Sequence, residues 1–217
     1  MFIFFNAMCY NEFNVIKRSI MENRNWTVLI IGGASGTGKS TVAYEIAKYY
    51  GISVLEFDDI QRTVKTVIKK TNLAKDMYIA IHDLEGDNWI DLGVDWNVNW
   101  LKSVSKEMFE FLKEIVERHV DENVPVIIEG DFIIPELVKT LLNSKVKSIF
   151  VLEGDKEQII NNYMSREGGD RQTFRADISV SYNNWIQKTC EELMMDSLES
   201  RPWNNALDRA NKILKEI

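Results

Sequence analysis

The run Gly33-Ala34-Ser35-Gly36-Thr37-Gly38-Lys39-Ser40, with Thr41 next, satisfies G-x-x-x-x-G-K-[ST] in full. Glycines let backbone N–H groups converge on phosphate oxygens, and a helix starting near Lys39 points its positive end at the same charge. In that arrangement Lys39 reaches the β and γ phosphates of a nucleoside triphosphate. Ser40 places its hydroxyl on the Mg²⁺ that bridges them. A Gly-rich turn that matched by chance would lack the flanks seen here. Thr27-Val28-Leu29-Ile30-Ile31 before the motif reads as a strand buried on both faces, and Ala43, Ile46, Ala47 and Tyr50 after it recur at helical spacing up to the stop at Gly51.

Two acids stand where such a loop would use them. Asp58 follows the strand read over Ser53 to Phe57. Transfer of a phosphoryl group to a hydroxyl benefits from a carboxylate that orients the acceptor and takes its proton. Asp58 is assigned that role and the adjacent Asp59 the N-cap of the helix from Ile60, the alternative being that either one only caps. Glu129 closes the strand Pro125-Val126-Ile127-Ile128 and could hold a magnesium-bound water, with Asp131 in reserve. The alternative for Glu129 is a strand-end carboxylate bonded to backbone.

The elements that must position these residues alternate regularly. Further along, Leu101, Val104, Met108, Leu112, Ile115 and His119 mark one side of a long helix, and Pro135 opens another that uses Leu137, Val138, Leu141 and Leu142. Val146 to Leu152 is a fourth strand, Asp155 the N-cap of the next helix, and Leu198 marks a poor fifth strand before a final helix through Ala206, Leu207, Ala210, Ile213 and Leu214. Strands alternating with helices predict an α/β fold, a three-layer αβα sandwich around a five-stranded, mostly parallel sheet, with ligands at the carboxyl ends of the strands. The 217 residues suit one such domain, read over 25–217 with 1–24 as an appendage without chemistry. Lys and Arg number 26 against 33 Asp and Glu, a net charge of −7, which disfavours a nucleic-acid grip. Two cysteines, Cys9 and Cys190, and two histidines, His82 and His119, exclude a disulfide scaffold and a histidine-built metal site. The five apolar residues at the start lack the features of a secretory signal, and no stretch of 18 apolar residues occurs, so a cytoplasmic protein without a membrane span is expected.

Ile31 to Ser40, Phe57-Asp58-Asp59-Ile60, and Ile127-Ile128-Glu129-Gly130 with Pro135 after it together resemble the P-loop small-molecule kinases. This group includes nucleoside monophosphate kinases, chloramphenicol phosphotransferase and, closest in texture, 2-phosphoglycerate kinase. The resemblance covers about residues 27 to 215, and its most specific part is the phosphate loop. It implies ATP and Mg²⁺ as cofactors, the loop strand at the sheet centre, a helical acceptor insert (about 60–120), an arginine-bearing lid (about 163–178) and a base-stacking loop before the last helix. Arg166, Arg171 and Arg175 fall in the lid, Arg166 as the catalytic clamp and Arg171 as a nucleotide contact. Arg201 and Trp203 fall where a base would stack. A solvated surface for the arginines and ordinary core for Trp203 are the plainer alternatives.

The acceptor is expected to be a small molecule. Between His82 and Trp100 lie Asp83, Glu85, Asp87, Asp91 and Asp95 without Lys or Arg, interleaved with Trp89, Trp96 and Trp100. Such a pocket suits a hydroxyl-rich neutral or cationic molecule such as a sugar or an antibiotic. The alternative is an acidic solvated face over a tryptophan-anchored core, and Arg62, Lys65, Lys69 and Lys70 could instead supply an anion pocket. Of the competing classes, a GTPase switch finds D-x-x-G at Asp83-Leu84-Glu85-Gly86 but lacks N-K-x-D, since Asn211-Lys212-Ile213 is followed by Leu214. A toxin or RNA-end kinase is disfavoured by the acidic balance.

Overall fold

Val28-Leu29-Ile30-Ile31 presents an apolar side chain in both directions at every step, so it can be satisfied only inside a sheet covered on both faces. The structure, a computed structural model, describes residues 24–71 and 89–216 and places that segment accordingly. Strand β1 (Val28–Gly32) is wholly buried, with Val28 and Ile30 directed into one core and Leu29 and Ile31 into the other.

Helix α1 (Lys39–Tyr50) follows the loop and ends on Gly51 in the left-handed region, as a C-terminal glycine allows. Next come β2 (Ser53–Glu56), α2 (Phe57–Thr71), α3 (Gly93–Asp121), β3 (Val126–Gly130), α4 (Pro135–Val138), β4 (Val146–Leu152), α5 (Lys156–Glu167), α6 (Thr173–Leu193), β5 (Ser197–Glu199), a 3-10 turn at Trp203–Asn205, and α7 (Ala206–Glu216). The strand order is β2-β3-β1-β4-β5 and every pairing is parallel. The sandwich is the expected one, with the phosphate-loop strand central. Helices α1 and α7 cover one face through Ile46, Ala47, Ala210 and Leu214, while α3 and α6 cover the other through Met108, Leu112, Tyr182 and Ile186.

Three local details differ from the sequence reading. Helix α2 begins at Phe57 directly off β2, so Asp58 and Asp59 both lie in its first turn and Asp59 is not an N-cap. The spacing of Ile60, Val64, Val67 and Ile68 predicts a single apolar side for α2, yet Val67 is half-exposed. The Pro135 helix is a single turn, and Leu141 and Leu142 pack on the core from beyond it. Asp155 does cap α5, accepting from the backbone N–H of Glu157 at 3.0 Å and of Gln158 at 3.4 Å. Residues 1–23 and 72–88 lie outside the described residues, and with them His82, Asp83, Glu85, Asp87 and the D-x-x-G match. Among the described residues no helix is long and apolar enough to cross a membrane.

Candidate active site

The register of β1 and β3 decides what meets at the sheet edge. Ile31 pairs with Glu129 and Gly32 with Gly130, so the chain leaves β1 into the phosphate loop beside the acids that end β3. Within the loop, Thr37 closes a turn on Ala34, its hydroxyl donating to Ala34 O at 2.9 Å, and Gly36 and Gly38 take φ of 77° and 89°. That left-handed backbone is open to glycine and strained for other residues. It delivers Lys39, with a buried side chain, and Ser40 to the first turn of α1.

Around Lys39 the chain gathers three carboxyls. Its ammonium stands 2.5 Å from Asp131 Oδ1 and 3.8 Å from Glu129 Oε2. The Ser40 hydroxyl donates to Glu129 Oε1 at 2.9 Å, across 89 residues of sequence. Asp58 Oδ1 accepts from the Asp131 N–H at 2.9 Å, and a Cβ on Gly130 would come within 2.8 Å of that same oxygen. Burial works against the Lys39 charge, but Asp131, Asp58 and Glu129 outweigh it and hold the amine protonated well above its usual range. Burial lifts Glu129, opposed by Lys39 and Ser40. Asp58 is pushed up to about 7, first by burial and then by the Asp131 charge, against the pull of Lys39. A carboxyl with that value is divided between its two forms near neutral pH, the property wanted of a proton acceptor.

Two cavities adjoin this centre. One of about 330 Å³ lies over the phosphate loop, with Gly36, Gly38, Ser40, Arg166 and Trp203 in its walls. Trp203 packs so closely on the loop that a Cβ on Gly38 would come 2.0 Å from its Cη2. The other, of about 390 Å³, lies between α3 and α6 and reaches the loop at Ser35 and the strand end at Asp131.

The arginines are distributed between these regions. Arg166 lines the loop cavity and pairs with Glu167. Arg175 lines the second cavity, stacks on the Tyr163 ring at 4.1 Å and donates to Ser35 Oγ at 3.3 Å. Arg171 lines neither; its Nη2 donates to both oxygens of Glu157 at 2.8 Å. Although partial burial pushes it up, Glu167 is held down at about 2 by bonds from Gln172, Arg166 and Arg175. Arg201 is engaged by Glu153, with Nε 2.5 Å from Oε2 and Nη2 2.8 Å from Oε1, so the residue beside the phosphate loop at this point is Trp203. Asp91 and Asp95 are exposed and line neither cavity, while Trp89 packs on Phe174 and Trp100 on Phe132.

The Methanopyrus kandleri 2-phosphoglycerate kinase is 26% identical to this chain over 189 residues, 84% of this chain and 56% of its own. That of Methanocaldococcus jannaschii is 30% identical over 129 residues, 58% and 40% of the two chains. The chain is similar to 2-phosphoglycerate kinases. It spans about half the length of the curated 2-phosphoglycerate kinases it matches. No family model matches it. A solved shikimate kinase from Acinetobacter baumannii aligns with a TM-score of 0.49 at 16% identity, over 89% of this chain and 93% of that one.

Several residues at this site gave no sequence signal. Asn162 donates to Gly36 O at 2.8 Å and the buried Tyr163 hydroxyl to Ser35 O at 3.0 Å, so α5 pins the phosphate loop from 126 and 128 residues away. Glu153, also buried, accepts from Ser200, Arg201 and the Asp155 N–H and so anchors the segment that carries Trp203.

Proposed function

We propose that the chain is an ATP-dependent phosphotransferase that moves the γ-phosphoryl group to a hydroxyl of a small molecule of the sugar, antibiotic or glycerate type, in the cytoplasm. The observation that carries this reading is the convergence of Asp58, Glu129 and Asp131 on Lys39 and Ser40 at one sheet edge. The names of the curated relatives support the reaction class.

The donor set fits Mg²⁺. Glu129 Oε2 is buried without a hydrogen-bond partner, and three carboxyls outnumber the single ammonium beside them. Among the described residues no three His, Cys, Asp or Glu side chains form a metal cage. That agrees with an ion held by few protein ligands and by phosphate oxygens. Ser40 would bind it directly and Glu129 through water; when bound, the ion neutralises charge on the transferring group.

In this reading Lys39 leaves Asp131 for the phosphates and the loop N–H groups, Thr41 included, surround them. Arg166 moves from Glu167 onto the γ-phosphoryl oxygens, Arg171 takes an outer nucleotide contact after leaving Glu157, and Trp203 stacks on the base with Arg201 behind it. The acceptor oxygen forms its bond to the γ-phosphorus as the bond to the β–γ bridging oxygen breaks. The hydroxyl proton passes to Asp58, and ADP leaves. Lys39→Ala tests the reading: the fold, followed by circular dichroism, is expected to persist while phosphoryl transfer from MgATP disappears. Retained transfer in that variant would overturn it.

A further inference from the structure

The cavity between α3 and α6 is not acidic in its described lining, unlike the acidic pocket that is one of the two readings of the His82 to Trp100 stretch. Its walls are largely apolar and flat: the indoles of Trp89 and Trp100, with Leu101 and Ile178. Among the described residues Asp131 is the one carboxylate in its lining, and it is already ion-paired to Lys39. Arg175 is correspondingly the one cation. Its Nη1 is engaged by Glu167 and Gln172, both at 2.8 Å, while the contact of Nη2 is the long 3.3 Å one to Ser35 Oγ. Stacking on Tyr163 fixes the guanidinium plane, and that tyrosine is itself bonded to Ser35 O and to Ser179, another cavity residue. A volume of about 390 Å³ falls in the range of small-molecule sites.

We infer, on the phosphotransferase reading above, that this cavity takes the acceptor, and that the acceptor is a hydroxyl-bearing monocarboxylate with a ring or other flat apolar body. The indoles cover the flat body. Arg175 Nη2 exchanges its weak bond to Ser35 for a charge-assisted one to the carboxylate, the better partner for a planar guanidinium. The bound molecule then presents its hydroxyl toward Asp131 at the cavity edge, a residue whose backbone N–H is bonded to Asp58. One guanidinium already shared with Glu167 neutralises a single negative charge, so a phosphorylated acceptor with a dianionic group is under-compensated here.

The experiment is isothermal titration of the full chain with Mg²⁺ and a non-hydrolysable ATP analogue, against mandelate, 3-phenyllactate and quinate, the amides of these acids, and 2-phosphoglycerate. At least one ring acid is expected to bind at least tenfold more tightly than its amide and than 2-phosphoglycerate. Arg175→Gln should erase the preference for acid over amide while leaving amide affinity within threefold, and Arg175→Lys should restore part of it. Tighter binding of 2-phosphoglycerate than of every ring acid, or an acid-over-amide preference that survives Arg175→Gln, would overturn the inference, as would failure of all three ring acids to bind. None of these outcomes touches the kinase reading. That reading falls separately if the ATP analogue itself does not bind.

Discussion

Asp58→Asn separates what this carboxylate does for chemistry from what it costs the fold. Burial and the neighbouring Asp131 move its carboxyl from 3.8 to about 7. At about 1.4 kcal/mol per unit, the ionised group disfavours the folded state by about 4 kcal/mol at most. Asparagine retains an oxygen for the Asp131 N–H but gives up a negative charge in the first turn of α2, worth about 0.3–1 kcal/mol. The variant should therefore be more stable by up to about 3 kcal/mol at pH 8, a rise in Tm of up to about 6–12 °C for a chain of this size. The sign follows from the raised folded-state value. Below about pH 3 both states are protonated and nothing is lost; as pH climbs through 3.8 to about 7 the unfolded state ionises first and the wild type loses stability. The gain should thus be near zero at about pH 3 and complete at pH 8. Turnover should move the other way, falling by about 10²–10⁴-fold in the variant, while wild-type turnover drops about tenfold per pH unit below about 7. Urea melts at the two pH values and chromatographic measurement of ADP released with the best acceptor provide both readouts. Equal stability at both pH values together with turnover within threefold of wild type would refute the assignment of Asp58.

Gly38→Ala should lose about 1–3 kcal/mol of stability and bind MgATP at least tenfold more weakly, because its Cβ collides with Trp203 and its backbone is left-handed. Adding Trp203→Ala should recover the packing loss but not the strain, and urea melts of the pair check this. Glu129→Gln keeps an acceptor for Ser40 but removes the charge, and should raise the Mg²⁺ concentration for half-maximal activity about tenfold at fixed ATP. An unchanged Mg²⁺ midpoint in a titration would show that Glu129 does not serve the ion.

The parts of this molecule that were legible in the sequence are those whose physics is local. Strands buried on both faces announce themselves as unbroken apolar runs, and the phosphate loop needs its glycines in one contiguous stretch. Glu129 was legible because it sits at a strand end, where a parallel sheet collects its ligands. The start of α2 was misread because a strand that runs directly into a helix leaves no loop residue to cap it, and an acidic pair looks the same at the cap as one turn inside. The placement of Arg166, Arg171 and Arg175 was not legible either. It is decided by which of Glu157 and Glu167 each guanidinium meets as α5 hands over to α6. The Glu153 anchor was invisible because its partners Ser200 and Arg201 lie 47 and 48 residues away, and no periodicity links them.

The position of β1 at the centre of the sheet also bears on how the protein is made. Its neighbours β3 and β4 start at residues 126 and 146, so β1, once out of the ribosome, waits on the order of a hundred residues for the first of them. At about 5–20 residues per second that is about 5–20 seconds. Throughout it, Val28 to Ile31, with no surface exposed in the finished molecule, can gain only transient shelter from α1 and the Trp26 side chain. The strand that ends in the phosphate loop is thus also a segment of the nascent chain that benefits from a chaperone.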